Sequence, residues 1–182
     1  ADLAALRQTG WDIDIAAHIR RGGHVMGLCG GYQMLGKTIS DPDGIEGTAG
    51  TVEGLGHLDV HTVLAPLKHL SLRTGQHIAS SAVLSGYEIH LGETTGPDCA
   101  NPWLRFDGVD EGAASRDGRV QGCYLHGLFG SDSFRAAFLE RLGTTSSVVF
   151  EDQVDATLDA LGQHMEAYFD IDVLLKAAAE VG

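Results

Sequence analysis

Gly27-Leu28-Cys29-Gly30-Gly31-Tyr32-Gln33 is the stretch on which the reading of this chain turns. The residues before the cysteine, His24 to Leu28, form a short apolar run of strand type, and Gln33, Met34, Leu35 and Lys37 continue in a pattern compatible with a helix. Cys29 is therefore predicted on the turn between a strand and a helix. Flanking glycines suit a sharp elbow, because a nucleophile held in a sparsely populated backbone region leaves no room for neighbouring Cβ atoms. The elbow presents the sulfur at the carboxyl edge of a sheet. Free N–H groups at the start of the next helix favour a thiolate, and the N–H of Gly30 is placed to donate to an oxyanion. The alternative is a packed cysteine acting as a small hydrophobe. The glycine frame favours the nucleophile.

Working outward, 182 residues with 43% hydrophobic content suit one domain, residues 1–182, with a sizeable core. The formal charge of −13 excludes the basic footprint that nucleic acid or an anionic membrane requires. No run is long enough to span a membrane, and the amino end lacks a signal-peptide pattern, so the expectation is a cytoplasmic protein. Cys29, Cys99 and Cys123 make neither a disulfide framework nor a zinc-type spacing, and no metal site is expected.

Asp2 to Thr9 and Trp11 to Arg21 read as helices, so the first visible strand is the one feeding Cys29. Central nucleophile strands normally have earlier neighbours, and the expectation is a piece of a longer protein. Asp41 to Gly56, rich in glycine, reads as a loop passing the mouth of the site. Leu58 to Leu64, Leu67 to Arg73, His77 to Leu84 and Gly86 to His90 read as a cluster of antiparallel strands, with a turn at Thr74-Gly75. Thr94 to Pro102 reads as loop. Arg119 to His126 is the second decisive strand, ending in an imidazole followed by Gly127. A helix follows from Phe134 to Leu142, capped near Ser131 to Ser133. Val154, Leu158, Leu161, Met165 and Phe169 then repeat at helical spacing, predicting an amphipathic helix over 151–169 that packs on the domain. A short helix from Ile171 to Glu180 ends the chain.

An elbow cysteine and a later strand-end histidine supply a nucleophile and a general base. His126 can take the thiol proton and return it to a leaving amine, which is acyl transfer through a thioester. By strand alternation Cys123 is a packed residue rather than a second nucleophile, and Cys99 has no evident role.

Gly27 to Gly36, Asp41-Pro42-Asp43-Gly44-Ile45-Glu46-Gly47, Gly54-Leu55-Gly56-His57-Leu58-Asp59-Val60, Gly86-Tyr87-Glu88-Ile89-His90 and Tyr124-Leu125-His126-Gly127-Leu128-Phe129 follow one another in this order. Together they resemble the carboxy-terminal glutaminase domain of the cobyric acid synthase family, in the cobyrinic/cobyric branch of class I (triad-type) glutamine amidotransferases. The resemblance implies a flavodoxin-like α/β fold: an open parallel sheet with flanking helices, an inserted antiparallel strand cluster, and an N-terminal strand lying outside this chain. It implies that Cys29 attacks the side-chain amide of glutamine, that His126 shuttles the proton, and that ammonia passes to a synthetase domain. No cofactor is implied in this domain. ATP and Mg²⁺ would act in the synthetase domain, where four carboxylates of a corrinoid, adenosylcobyrinic acid a,c-diamide, become amides on the route to cobalamin. This chain has no phosphate-binding glycine loop of that kind.

Two departures follow from the comparison with class I enzymes. Most carry a glutamate two residues after the histidine; here that place is Leu128, and the cobyric branch is similar in lacking the acid. Glu88 and His90 are then the nearest polar candidates for the histidine or the substrate, against the alternative of an ordinary polar strand face. The family also draws a second oxyanion donor from a strand earlier than any in this chain. Tyr32 and Gln33 either line the glutamine pocket or pack the elbow helix. The same elbow is similar to that of the glutaminase subunit amidating lipid II, and the missing acid leaves a catalytically impaired interaction domain as an alternative. A general thiol hydrolase fits the Gly-Tyr-Gln continuation less well.

Overall fold

The apolar run before the elbow forms β1 (Val25–Leu28), which pairs in parallel with β9 (Val120–Cys123), so that Gly27 lies opposite Gly122 and Leu28 opposite Cys123. A short strand, β8 (Ala113–Ala114), joins the far side of β9 in antiparallel fashion, giving the order β1-β9-β8. The computed structural model describes residues 2–178 as a mixed α/β fold, with this sheet, a second open sheet and flanking helices.

The second sheet is built around two long antiparallel strands, β4 (His61–His77) and β5 (Val83–Thr95). β2 (Thr38–Asp41) runs parallel to β4 and carries β3 (Gly50–Glu53), while β10 (Leu125–His126) lies on the outer side of β5. β6 (Leu104–Phe106) pairs with the end of β4, and β7 (Val109–Glu111) pairs with β6. Two helices, α1 (Asp2–Gln8) and α2 (Trp11–Arg20), precede β1, and α3 (Gly30–Leu35) follows the elbow.

Several local readings change here for identifiable reasons. β4 runs straight through Thr74-Gly75, where a turn is expected from the sequence. Gly75 is needed instead for a close approach: a Cβ there would stand 2.2 Å from the carbonyl oxygen of Arg105 on β6. The turn lies at residues 78–82, where the Ser80 hydroxyl bonds Nδ1 of His77 at 2.7 Å and Ser81 takes a left-handed φ of 57°. The glycine-rich segment after Asp41 contains β3, and Pro97–Ala100 within the expected loop is a short 3₁₀ turn. Ser131 precedes α4 (Asp132–Arg141), but its hydroxyl accepts the Ser85 N–H of β5 at 2.9 Å rather than capping the helix.

The core divides in two. One part gathers Leu84, Trp103, Leu104, Phe106, Cys123, Leu125, Leu128 and Phe134; the other gathers Tyr32, Leu35, Leu58, Val60, Ala113, Val120 and Tyr124. They meet at β9, where the indole N–H of Trp103 donates to the Gly122 carbonyl at 2.8 Å. The helix α5 (Phe150–Tyr168) forms as its spacing predicts, but it does not pack on the domain as expected. Its start is tied down by the Phe150 N–H bond to Asp132, 3.0 Å long, whereas Leu158, Leu161 and Met165 are exposed beyond it. Amphipathic spacing specifies a stripe and not the surface that covers it. The last helix, α6 (Ile171–Ala178), also has its apolar residues exposed, and the two further positions expected in it lie outside the described residues.

Phe134 is fully buried and meets the His77 ring edge-on at 5.6 Å. Phe134→Ala is expected to cost about 3–5 kcal/mol of stability. Urea denaturation checks this as a lowered midpoint at unchanged slope; an unchanged midpoint would mean that α4 contributes little to the core.

Candidate active site

Cys29 has φ 52° and ψ −114°, a region that costs a residue with a side chain about 1–3 kcal/mol and that the surroundings must impose. What imposes it is visible on both sides. The Cys29 N–H donates to the Cys123 carbonyl at 2.8 Å, extending the β1/β9 ladder by one bond, and the Gln33 N–H returns to the Cys29 carbonyl at 3.2 Å to start α3. A Cβ on Gly27 would stand 2.6 Å from the backbone of Gly31, so this glycine is required by contact. Gly30 and Gly31 differ: a Cβ there would meet nothing within 4 Å, leaving open space beside Cys29. Gly30 lines a cleft of about 670 Å³ together with Gln33, Met34 and Glu46.

The electrostatics of the thiol depart from the expectation that the helix start favours a thiolate. Burial raises the Cys29 thiol above its ordinary range; the Gly30 N–H bonded to the sulfur opposes this, and the Glu46 carboxylate adds to the rise. A helix of six residues offers too little dipole to outweigh desolvation. The Cys29 thiol donates to the Ile89 carbonyl, with Sγ 3.6 Å from the oxygen.

The run Arg119 to His126, expected as one strand, changes sheets. β9 ends at Cys123 beside β1, and β10 begins at Leu125 on β5, with Tyr124 as the crossing residue. His126 stands opposite Tyr87, two residues along β5 from Ile89, and among the described residues no hydrogen bond joins its ring to the Cys29 sulfur. β5 thus carries the thiol at Ile89 and the imidazole at Tyr87. The strand approach is tight, since a Cβ on Gly86 would stand 2.0 Å from the His126 carbonyl oxygen. Nε2 of His126 is buried and makes no hydrogen bond among the described residues, and no carboxylate pairs with the ring there. The ring instead stacks on Tyr87, with centroids 5.0 Å apart and planes 7° from parallel. Leu128, two residues after His126, is fully buried in the core beside Phe134.

The remaining sequence candidates fall into two groups. Tyr32 is buried, its ring edge-on to Tyr124 at 5.3 Å and set over Gly122, so it packs the elbow helix. Gln33 lines the cleft, yet its amide N–H₂ donates to the Leu91 carbonyl at 3.2 Å and to the Tyr124 hydroxyl at 3.3 Å, fastening α3 to β5. Glu88 and His90 line a second cavity, of about 490 Å³, with Arg73, Glu111 and Tyr124. There Glu88 accepts the Ser71 hydroxyl at 3.3 Å and faces Arg73 at 3.7 Å. His90 stacks on Tyr124 at 3.7 Å, and its Nδ1–H donates to the Gly92 carbonyl. Burial and the Glu88 charge both raise the Glu111 carboxyl. Among the described residues neither Glu88 nor His90 contacts the His126 ring by a hydrogen bond or ion pair.

Tyr87, Tyr124, Thr94 and Glu46 were not candidates from sequence. Strand alternation places Tyr87 with Ile89, but only the β5/β10 register sets it against His126. Tyr124 accepts or donates at 2.6 Å to Thr94, a pairing across 30 positions that no local pattern announces. Cys123 is fully buried, as expected; Cys99 packs near the Tyr32 hydroxyl at 3.8 Å. All three cysteines are free. Among the described residues no group of three or more His, Cys, Asp or Glu side chains is arranged to hold a metal, and no helix is long and apolar enough to cross a membrane.

Residues 1–134 match the model of the CobB/CobQ-like glutamine amidotransferase domain. The chain belongs to this family. It is 57% identical over 180 residues to a cobyric acid synthase of Ruegeria sp. (strain TM1040) and 58% identical over 178 residues to one of Cereibacter sphaeroides (strain ATCC 17025 / ATH 2.4.3). These alignments cover 99% and 97% of the chain and 37% of each relative. A cobyric acid synthase of Methylobacterium nodulans (strain LMG 21967 / CNCM I-2342 / ORS 2060) is 57% identical over 181 residues, again 37% of its length. The family places the chain among glutamine amidotransferases, and the chain spans a little over a third of the curated relatives it matches.

Two outcomes test the site's construction. Glu46→Gln removes a negative charge near the sulfur, makes the thiolate less costly, and is expected to move the pH profile of Cys29 alkylation to lower pH; an unmoved or raised profile would sever Glu46 from the thiol. Gly27→Ala is expected to lose about 1–3 kcal/mol in thermal or urea unfolding through overpacking against Gly31. Wild-type stability in that variant would mean that the elbow has room the geometry denies.

Proposed function

We propose that this chain hydrolyses glutamine through a Cys29 thioester and supplies the ammonia to a synthetase part of a longer enzyme that makes cobyric acid. The observation that carries the reading is the left-handed elbow of Cys29 on β1, joined by β5 to the strand-end imidazole of His126. Nε2 of His126, buried and unbonded, is the acceptor for the thiol proton. The sulfur then attacks the amide carbon of glutamine, forming the C–S bond and an oxyanion that the Gly30 N–H stabilises. The C–N bond breaks as the imidazolium returns its proton to nitrogen, and ammonia leaves. Water, deprotonated by the neutral imidazole, cleaves the thioester to glutamate and restores the thiol.

The cleft along Gly30 and Gln33 is the place for glutamine, with Tyr32 supporting the elbow from beneath; Glu88 and His90 line the second cavity. ATP and Mg²⁺ would act in the synthetase part, with the corrinoid bound there, as the resemblance to the family implies. The curated relatives named cobyric acid synthase, of which this chain matches 37%, support the choice of pathway.

The test is covalent labelling with 6-diazo-5-oxo-norleucine, an electrophilic glutamine analogue. Intact mass and peptide mapping are expected to find one adduct, on Cys29, formed far more slowly in His126→Ala. An adduct confined to Cys99 or Cys123, or equal labelling in the His126 variant, would sink the mechanism.

A further inference from the structure

The proposed mechanism asks one imidazole to accept a proton from a thiol and hand it to a leaving amine, which requires a ring held in one orientation. A carboxylate usually does this by accepting the second ring N–H, and the position two residues on is occupied by Leu128, fully buried among core residues. Among the described residues nothing hydrogen-bonds or ion-pairs with the His126 ring, and Nε2 is buried without a partner. What touches it is a face. The Tyr87 ring lies 5.0 Å away at 7° from parallel, directly across the β5/β10 pair.

We infer that Tyr87 is the positioning residue for His126: its ring, through stacking, fixes the imidazole plane so that Nε2 faces the Cys29 thiol in place of a triad acid. Three features make the contact firm. The two residues are directly opposed Cα partners, so their side chains leave the sheet on one face. Gly86 lets the His126 carbonyl approach where any Cβ would stand 2.0 Å away, which pins the β10 backbone. His126 is also followed by Gly127 at φ 80°, which turns the chain away into the 3₁₀ turn Leu128–Gly130 and leaves the imidazole at a fixed strand end. A tyrosine face also attracts a cation, so the stack strengthens when the imidazole carries the proton between the two transfer steps. Tyr87 itself is 43% exposed, so its outer face is free and its replacement does not open the core.

This inference rests on the assignment of Cys29 and His126 given above, and the experiment separates the two. Glutamine hydrolysis is measured in the full-length protein for Tyr87→Leu, Tyr87→Phe, His126→Ala and Cys29→Ser. Tyr87→Leu is expected to lower kcat about 10- to 100-fold with KM unchanged within about twofold, since a misplaced base costs the chemical step and not binding. Tyr87→Phe keeps the ring and is expected to retain kcat within about twofold of the parent. If Tyr87→Leu does not fold, Tyr87→Gln takes its place with the same expected loss. The positioning role is overturned if the Leu or Gln variant keeps the parental kcat, if the loss falls in KM, or if Tyr87→Phe loses as much as Leu. Loss of activity in Cys29→Ser and His126→Ala with full activity in the Tyr87 variants removes only the Tyr87 role. An active Cys29→Ser removes the underlying reading as well.

Discussion

The structure depends on a place where two neighbouring strands present no side chain. Gly27 of β1 and Gly122 of β9 are directly paired, and the elbow helix lies on the bare patch they make. The backbone of Gly31 sits where a Cβ of Gly27 would be, and the Tyr32 ring sits 2.1 Å from where a Cβ of Gly122 would be. That close approach lets the chain turn immediately after Leu28, and the turn is what forces Cys29 into its left-handed conformation. The strain is repaid by the Cys29 N–H bond to Cys123 and by the burial of Tyr32 and Leu35 beneath the helix.

The second constraint is the transfer of one chain segment between sheets. Val120 to Cys123 belongs to the sheet of β1, and Leu125-His126 belongs to the sheet of β5. Tyr124, between them, is buried and held by Thr94, Gln33 and the stacked His90. The elbow helix is tied to the same group through Gln33, so the thiol and the imidazole are set by one connected framework. Several polar side chains near the site therefore serve as fasteners. Gln33 gives its amide hydrogens to that framework, and Tyr32 gives its ring to the core.

The local chemistry of the thiol follows from this burial. A sulfur pushed down among β5 and the cleft loop is harder to ionise, and Glu46 makes it harder still. In the proposed mechanism, reactivity then belongs to the pair of residues, with the proton moved only when the imidazole is correctly aimed. In that mechanism the ring must be aimed without a carboxylate beside it, and the flat face of Tyr87 is what lies against it.

Much was legible in the chain itself. A cysteine framed by Gly27, Gly30 and Gly31 after an apolar run dictates a strand–turn–helix elbow, because only glycine permits such close backbone approach. A histidine followed by glycine at the end of an apolar run announces a strand-end imidazole, and heptad-like spacing announces α5. These are local properties, set by steric freedom and periodicity over a few residues. The tertiary structure alone decided what those elements meet. Gly75 looked like a turn because a glycine's purpose, whether freedom in φ or room for Arg105, is invisible without the neighbouring strand. The break at Tyr124 was hidden because both halves of that segment are equally apolar, and the partners of each lie far off in sequence. The contact of Tyr87 with His126 depends on the register of two strands about 40 residues apart, and register is fixed by long-range pairing that no local pattern encodes.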